Sequence, residues 1–533
     1  MRDVQAQVLN RVLSMAAETG FGRDHGLDRA RTLADYRAAV PISPYERFQP
    51  YIDRVCHGET EAMFPPGTVL RMFALTSGTS GEAKHIPVTD AYMKAYREGW
   101  HVWGCRALQD HYDAFGAKIL QISSRVDEKT APCGLPAGAV SGLTAQGQRR
   151  VVRWMYASPT EIAYARDTAA KYYLACRLAL VHRRVWPITA NPSTLIGLAR
   201  AMDARKEELL RDVANGTLTR DLNLAAGFRR RIESRLRPCR ARARHLAAVA
   251  DASGHLYPKD AWDVPLIGTW KGGTLCLYIA EIPRYWGDAP IRDVGLIASE
   301  GRFSIPLQTD GSAGVLDVPN TFYEFVPEEE IGRDEPTALL AHEVDQGQRY
   351  YIVPTTPAGL YRYHIGDVVQ VTGRYGPAPM IEYLHRGEST SNLTGEKLTE
   401  HQVTTATNRA ARHLGLSLGG YCVCPTWGEV PHYSLLVEEG EVPAADAPSL
   451  AAEVERALCA LNIEYEAKRK SGRLEPLRVK TLPAGTWETY DRETVEVRQG
   501  RIEQYKHKFL VRDVDFVNRF AVRETYAPSG EDA

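Results

Sequence analysis

The sequence lacks a long apolar run, which excludes the commonest kind of membrane anchor. The longest uncharged stretch, residues 130–148, is interrupted by Pro132, Pro136 and several glycines, so it does not predict a membrane-spanning helix. Charged residues such as Arg2 and Asp3 break up the apolar core that a signal peptide requires. We therefore expect a soluble, cytoplasmic protein with no membrane partner.

The sequence also lacks an excess of charge of either sign. Lys and Arg number 65 and Asp and Glu number 66, which gives a formal net charge of −1. The net charge therefore does not favour binding to nucleic acid, and the arginines between Arg229 and Arg244 are interpreted as a solvated helix face.

The nine cysteines are scattered, with Cys422 and Cys424 as the only close pair. This pattern predicts reduced thiols rather than a disulfide framework or a zinc site.

The length and the order of the patterns predict the fold class. A chain of 533 residues is too long for one core, so we expect at least two domains. Helical and strand patterns alternate at first, and short strand-like runs, including 275–278 and 359–363, then follow. We predict an α/β protein. Residues 1–391 form a large N-terminal domain of mixed sheets, helices and a β subdomain, and 392–533 form a small C-terminal α/β domain.

One stretch carries the clearest functional pattern. A strand-like run from Val69 to Leu75 enters a loop of small residues, and Lys84 follows. Gly78 and Gly81 permit backbone angles with which successive N–H groups can surround an anion. The loop also supplies hydroxyl groups, those of Thr76, Ser77, Thr79 and Ser80. With the charge of Lys84, this pattern predicts a phosphate-binding loop, and a plain Gly/Ser-rich turn remains the alternative.

Other site patterns fit less well. A Walker A loop requires Gly-Lys-Ser/Thr, whereas Ala83 precedes Lys84 and His85 follows it. Residues 415–419 match the Gly-x-Ser-x-Gly nucleophile elbow, but they follow a predicted helix where the elbow requires a strand. The sequence contains no His-Glu-x-x-His motif, so a zinc hydrolase is not indicated.

Two further segments, taken with the loop, carry a family resemblance. Residues 359–369 read Gly-Leu-Tyr-Arg-Tyr-His-Ile-Gly-Asp-Val-Val, and residues 392–400 read Asn-Leu-Thr-Gly-Glu-Lys-Leu-Thr-Glu. In this order, the segments resemble those of the GH3 family of acyl-acid amido synthetases. These are adenylate-forming enzymes that, in plants, join hormone acids such as auxin and jasmonate to amino acids. The resemblance covers nearly the whole chain.

The resemblance implies an ATP-dependent ligase that uses ATP and Mg²⁺. A small carboxylic acid would attack the α-phosphorus of ATP to give an acyl-adenylate and pyrophosphate. An amino acid or another amine would then take the acyl group and release AMP, with the small domain swinging about residues 387–395. A monomer is favoured. An acyl-CoA ligase and a non-catalytic nucleotide or acid sensor remain as alternatives.

The resemblance also implies roles for residues outside the loop. Ser299 and Glu300 would lie beside the nucleotide, with Glu300 as a catalytic and magnesium-binding carboxylate. Lys397 and Lys506 of the small domain would be catalytic, because positive charge between a carboxylate and a polyphosphate lowers the barrier to attack. For Glu300 and Lys506, an ordinary solvated role stays open.

Asp367 and Arg386 have a chemical reason to bind nucleotide as well. The carboxylate of Asp367 can accept hydrogen bonds from two ribose hydroxyls. The forked guanidinium of Arg386 suits a phosphate or a ribose. A turn aspartate and a surface arginine are the alternatives.

Overall fold

The computed structural model describes residues 1–77, 83–148, 150–165, 167–387, 390–391, 393–394, 396, 398–428, 430–470, 474–497 and 507–529. The chain divides into two compact units. The large unit comprises Met1–Ile365 and Val369–Tyr383, and the small unit comprises Gly366–Val368 and Leu384–Ala533. The domain boundary at 391/392 stays a prediction.

Helices make up much of the large unit. They are α1 Arg2–Ala16, α2 Gly20–Asp24, α3 Leu33–Ala39, α4 Gln49–Cys56, α5 Asp90–Asp110, α6 Val140–Gln146, α7 Arg150–Met155, α8 Thr168–Ala179, α9 Ser193–Ala204, α10 Lys206–Asn215, α11 Ala226–Glu233, α12 Arg240–Ser253, α13 Pro258–Ala261 and α14 Cys276–Trp286. Helix α11 ends before Pro238 and α12 begins after it, since proline interrupts the hydrogen bonding of a helix. No helix of the described ranges is long and apolar enough to cross a bilayer.

The strands of this part of the chain lie between Leu70 and Arg386. They are β1 Leu70–Ser77, β2 Ala83–Thr89, β3 Lys118–Leu120, β4 Lys129–Thr130, β5 Pro136–Gly138, β6 Val185–Pro187, β7 Ile267–Gly268, β8 Ile291–Arg292, β9 Ile297–Ala298, β10 Gly301–Arg302, β11 Ser304–Ile305, β12 Gly314–Leu316, β13 Phe322–Pro327, β14 Leu339–Leu340, β15 Arg349–Thr355, β16 Asp367–Tyr375 and β17 Ala378–Arg386.

Two sheets carry the residues of functional interest. One has the strand order β2-β1-β5-β4, and the other has seven strands in the order β11-β12-β17-β16-β15-β13-β14. Met72, Phe73 and Ala74 are buried at consecutive positions of β1, so both faces of this strand are covered. The base of the hairpin β1–β2 is therefore packed within the core.

The small unit is an α/β module of its own. Its elements are β18 Thr390–Ser391, β19 Leu398–Thr399, α15 Glu400–His413, β20 Tyr421–Thr426, β21 His432–Glu438, α16 Ala447–Leu461, α17 Ile463–Lys470, β22 Arg478–Leu482, α18 Thr486–Val497 and β23 Thr525–Tyr526. The sheet order is β20-β21-β22-β23, with β21 and β22 parallel. Helices and mixed sheets in both units confirm the predicted α/β class.

Two strand predictions are wrong. Residues 275–278 enter helix α14, because Leu275, Ile282, Tyr285 and Trp286 are buried at helical spacing and four apolar residues cannot distinguish the two periods. Residues 359–363 form an irregular turn instead of a strand.

Arg362 explains the irregular turn, since its φ of 46° lies in the left-handed region that non-glycine residues avoid. Its Nε donates to Oε2 of Glu324 at 2.7 Å, and its Nη1 donates to the Val40 carbonyl at 2.9 Å. Glu324 is completely buried and also accepts from Nε of Arg37 at 2.7 Å. The ion pair therefore holds the backbone in a conformation that the local sequence disfavours.

We predict that Glu324→Gln destabilises the large unit strongly. It would leave the buried Arg362 guanidinium without its counter-charge, at a cost of about 3–5 kcal/mol in the free energy of unfolding. Urea unfolding followed by circular dichroism measures this. The control is Arg71→Gln, which breaks the half-exposed Arg71–Asp90 pair and is expected to cost below about 1 kcal/mol. Equal losses for both variants would contradict the structural role.

Candidate functional site

The hairpin β1–β2 brings the predicted phosphate loop to the end of a sheet. Thr76 pairs with Lys84 and Ser77 with Ala83 in the antiparallel register. Thr76 and Lys84 are both partly buried. Gly78, Thr79 and Ser80 lie outside the described residues, so their predicted roles stay predictions. Thr76 and Lys84 are therefore neighbours on adjacent strands, one just before the loop and one just after it.

Tyr45 supports the hairpin from a neighbouring 3₁₀ helix, Tyr45–Arg47. Its hydroxyl accepts from the His85 N–H at 2.9 Å and donates to the His85 carbonyl at 3.0 Å. The Lys84 ammonium lies 5.1 Å from the centre of the Tyr45 ring, within range of a cation–π interaction. Sequence reasoning missed Tyr45, because its contact with His85 joins residues that are forty positions apart.

Glu300 lies in the turn between β9 and β10 and is only 5% exposed. The Tyr363 hydroxyl donates to its Oε1 at 3.3 Å. The Tyr92 hydroxyl donates to the carbonyl of the preceding Ser299 at 3.0 Å. The structure therefore holds the predicted Ser299–Glu300 pair from two sides with aromatic hydroxyl groups.

Burial keeps the phenols of Tyr92 and Tyr45 protonated. It raises the pKa of Tyr92 well above the ordinary value, and the negative charge of Glu300 raises it further. Burial also raises the pKa of Tyr45, and Glu300 again adds to the shift. Both hydroxyls therefore remain hydrogen-bond donors at neutral pH.

Arg302, two residues after Glu300, is a second position that sequence reasoning missed. Its guanidinium is buried, donates to the Val294 carbonyl at 2.5 Å and lies 4.7 Å from the Trp100 ring centre. Burial lowers its pKa to about 10, which leaves it charged at neutral pH. A Cβ at Gly99 would lie 2.4 Å from the Arg302 side chain, so a larger residue there would displace the arginine.

Asp367 and Arg386 belong to the small unit. Asp367 begins β16 and is 7% exposed, and Arg386 ends the neighbouring strand β17. The Gly387 N–H donates to the Gly366 carbonyl at 2.7 Å, and a Cβ at Gly366 would lie 3.5 Å from Nε of Arg386. The structure therefore brings these two predicted nucleotide-binding residues together at the same end of two adjacent strands.

Lys397 and Lys506 lie outside the described residues, but Glu396, which precedes Lys397, lies within them. Glu396 is buried, and its carboxylate accepts from the N–H groups of Leu393 at 2.6 Å and Thr394 at 2.8 Å and from the Tyr433 hydroxyl. Burial alone would raise the pKa of Glu396, but these hydrogen bonds outweigh it and lower the pKa. Glu396 is therefore an ionised residue that organises its own loop.

The fold is that of a two-unit α/β protein, and comparisons with known proteins identify its family. Models of the GH3 family match the chain in order. The N-terminal domain matches residues 1–291, the central domain residues 314–386 and the C-terminal domain residues 401–515. The chain therefore belongs to the GH3 family, and the resemblance seen in the sequence is confirmed.

Named relatives agree with this assignment. A probable indole-3-acetic acid-amido synthetase of Oryza sativa subsp. japonica is 27% identical, over 96% of this chain and 87% of the relative. A 4-substituted benzoates-glutamate ligase of Arabidopsis thaliana is 24% identical, over 92% and 89%. Among solved structures, the GH3.15 acyl acid amido synthetase in complex with 2,4-DB aligns with a TM-score of 0.86 at 20% identity, covering 99% of this chain and 96% of the other. This last match shows a shared fold.

We predict that Tyr45→Phe destabilises the hairpin. The lost hydroxyl both donates to and accepts from the His85 backbone, so its removal leaves buried polar groups without that partner, at about 1–3 kcal/mol. Urea unfolding measures the change. Tyr112→Phe is the matched control, because Tyr112 is 75% exposed and its change should be near zero. A Tyr45 variant as stable as the Tyr112 variant would contradict this role.

Proposed function

We propose that this chain is an ATP-dependent acyl-acid amido synthetase. A carboxylate oxygen of a small acid attacks the α-phosphorus of ATP, an acyl-adenylate forms and pyrophosphate leaves. The amino group of an amino acid then attacks the acyl carbon, an amide forms and AMP leaves. Holding both reactants in one site makes each step effectively unimolecular, which is worth up to roughly 7–11 kcal/mol.

The observation that carries this proposal is the match to three consecutive GH3 domains. The loop from Thr76 to Lys84 lies in the first of these segments, Asp367 and Arg386 in the second, and Lys506 in the third. The relatives' names also support the substrate classes, because one names indole-3-acetic acid and the other 4-substituted benzoates with glutamate. We therefore propose a small carboxylic acid and an amino acid as substrates.

ATP and Mg²⁺ fit the residues that would hold them. Thr76, Ser77, Gly78, Thr79 and Ser80, with Lys84, would bind phosphate oxygens, while Asp367 and Arg386 would bind the ribose and a phosphate. Magnesium usually takes one or two protein carboxylates and completes its shell with phosphate oxygens and water. Glu300 supplies such a carboxylate, and the described residues include no cluster of metal-binding side chains that would form a separate cage.

The charges of the chain's own residues support the first step. Lys84 would offset negative charge on the polyphosphate, and Mg²⁺, when bound, would offset more of it. Lys506 would reduce the repulsion between the carboxylate and the α-phosphate, and Lys397 would act beside it. We propose that the small domain changes position between the two steps, about residues 387–395, of which 388, 389, 392 and 395 lie outside the described ranges. We also propose a cytoplasmic monomer.

Product analysis tests the reaction. The protein is incubated with Mg-ATP, an acid panel (indole-3-acetic acid, benzoic acid and hexanoic acid) and either an amino-acid mixture or coenzyme A. We expect acid-dependent pyrophosphate release and a new amide in the mass spectrum. A thioester would instead indicate an acyl-CoA ligase. Binding of AMP without acid-dependent pyrophosphate release would indicate a sensor, and either outcome rejects the proposal.

Lys84→Met is predicted to lower kcat/KM for ATP in acid-dependent pyrophosphate release by about 10–100-fold. The variant loses a charged hydrogen bond to phosphate, which is worth about 1.5–3 kcal/mol. Lys94→Met is the matched control, because Lys94 lies on α5 with its side chain 79% exposed, and its activity should be unchanged. Equal activities of the two variants would contradict a role of Lys84 in binding the nucleotide.

A further inference from the structure

One face of the four-stranded sheet in the small unit is apolar at one end and polar at the other. The apolar end is a buried cluster, which consists of Cys422, Cys424, Leu436, Leu482, Trp487, Phe516 and Val517. Side chains two positions apart on a strand point to the same face. The same face therefore continues along β21 from Leu436 through Ser434 to His432.

The other end of this face carries polar side chains on three adjacent strands. Thr426 of β20 pairs with His432 of β21, and Ser434 of β21 pairs with Arg478 of β22. Lys480 lies two positions after Arg478, so it shares the face as well. The hydroxyl oxygens of Thr426 and Ser434 lie 2.8 Å apart. We call these five residues the polar end of the sheet.

His432 is the buried member of the polar end whose hydrogen bonding is incomplete. It is 5% exposed, and neither ring nitrogen has a hydrogen-bond partner among the described residues. Buried polar atoms of native proteins are nearly always hydrogen-bonded, and an exception commonly marks a place for an ion or a water. Burial, with the positive charges of Arg478 and Lys480, lowers the pKa of His432 to about 4. The ring is therefore a neutral imidazole with one N–H donor.

The charges around this imidazole are positive in excess. Arg478 pairs with Glu475, and both side chains are 37% exposed. Asp513, which lies near β20, pairs with Arg519. Burial lowers the pKa of Lys480, and the charge of Arg478 adds to this effect. In the described part of the chain, no carboxylate forms an ion pair with Lys480, so its charge is available to an anion.

The donors of the polar end suit a tetrahedral oxyanion. Lys480 supplies an ammonium, and Arg478 retains N–H groups beyond the one that pairs with Glu475. The mutual hydrogen bond of Thr426 and Ser434 uses one hydroxyl hydrogen and leaves the other for a ligand. Adjacent strands are about 4.8 Å apart, so one phosphate can reach donors on two of them. Its four oxygens accept from several directions, whereas a carboxylate offers only two oxygens.

We propose that the polar end of this sheet is a phosphate-binding site, in which Lys480, Arg478 and the N–H of His432 hold the anion. The ligand is inorganic phosphate or the phosphate group of a larger molecule. The phosphate loop belongs to the large unit and this site to the small unit. The proposal is therefore independent of the proposed function.

The test follows the ring resonance of His432 in the whole protein, labelled with ¹³C at histidine. The resonance is assigned by its absence in His432→Gln. Inorganic phosphate replaces chloride at constant ionic strength. We expect a saturable shift, and we expect the pKa of His432 to rise when phosphate is bound, because an anion stabilises the imidazolium. Lys480→Met should weaken phosphate binding about 10–100-fold, because it removes a charged hydrogen bond.

Two control variants separate this site from general charge effects and from the proposed function. Arg456→Gln alters an arginine on α16 whose side chain is 70% exposed, and it should bind phosphate as the wild type does. Lys84→Met should also leave the His432 shift unchanged, because Lys84 belongs to the large unit. Circular dichroism checks that each variant is folded. The His432 shift is measured without ATP or acid, so a chain that adenylates no acid can still pass this test.

Other anions define the ligand. A shift with methyl phosphate as well as with inorganic phosphate would show that the site accepts a phosphate monoester, and a shift with inorganic phosphate alone would show that it binds the free anion. Both results support the proposal. It would be overturned if neither anion shifted His432 saturably, if acetate shifted it equally, or if Lys480→Met kept wild-type affinity.

Discussion

The buried carboxylate of Glu324 is the constraint on which the candidate site of the large unit depends. Its charge is offset by Arg362, and Arg362 adopts a left-handed backbone conformation that costs of order 1–3 kcal/mol in the absence of support. Tyr363 follows directly, and its hydroxyl reaches Glu300. An ion pair in the core is thus connected, through one peptide unit, to the orientation of the carboxylate proposed to bind magnesium. Apolar packing of similar volume could be as stable, but it would not provide this connection.

Helix α5 supplies a second connection within the large unit. Its N-cap, Thr89, ends the strand that carries Lys84. Tyr92 in its first turn holds the Ser299 carbonyl, and two turns later Trp100 packs under the Arg302 guanidinium. Strand β2 and the turn of Glu300 are therefore both attached to one helix. A shift of α5 would therefore move both together.

Local chemistry was largely readable from the sequence, and long-range support was not. The run from Val69 to Leu75 predicted a strand that enters a loop, and β1, Leu70–Ser77, confirms the strand. Periods of 3.6 and 2 and turn residues carry this information within a few positions. The irregular turn at Arg362 was missed because its cause is Glu324, 38 positions away. The contacts of the buried His507 ring with the Asp491 carboxylate and the Tyr421 carbonyl were missed for the same reason, since these residues are 16 and 86 positions away.

Two positive charges, those of Lys84 and His507, have opposite surroundings. Lys84 lies over the face of Tyr45, and an aromatic ring orients a cation without neutralising it. Its charge therefore remains effective for an anionic ligand. His507 is buried against Asp491, so its charge is offset inside the protein and contributes rigidity. The charge of Lys84, proposed to bind phosphate, is thus held by a group without net charge, whereas that of His507 is paired with a carboxylate. Since net charge over the chain is close to zero, attraction of a polyanionic substrate depends on such local, un-neutralised charges.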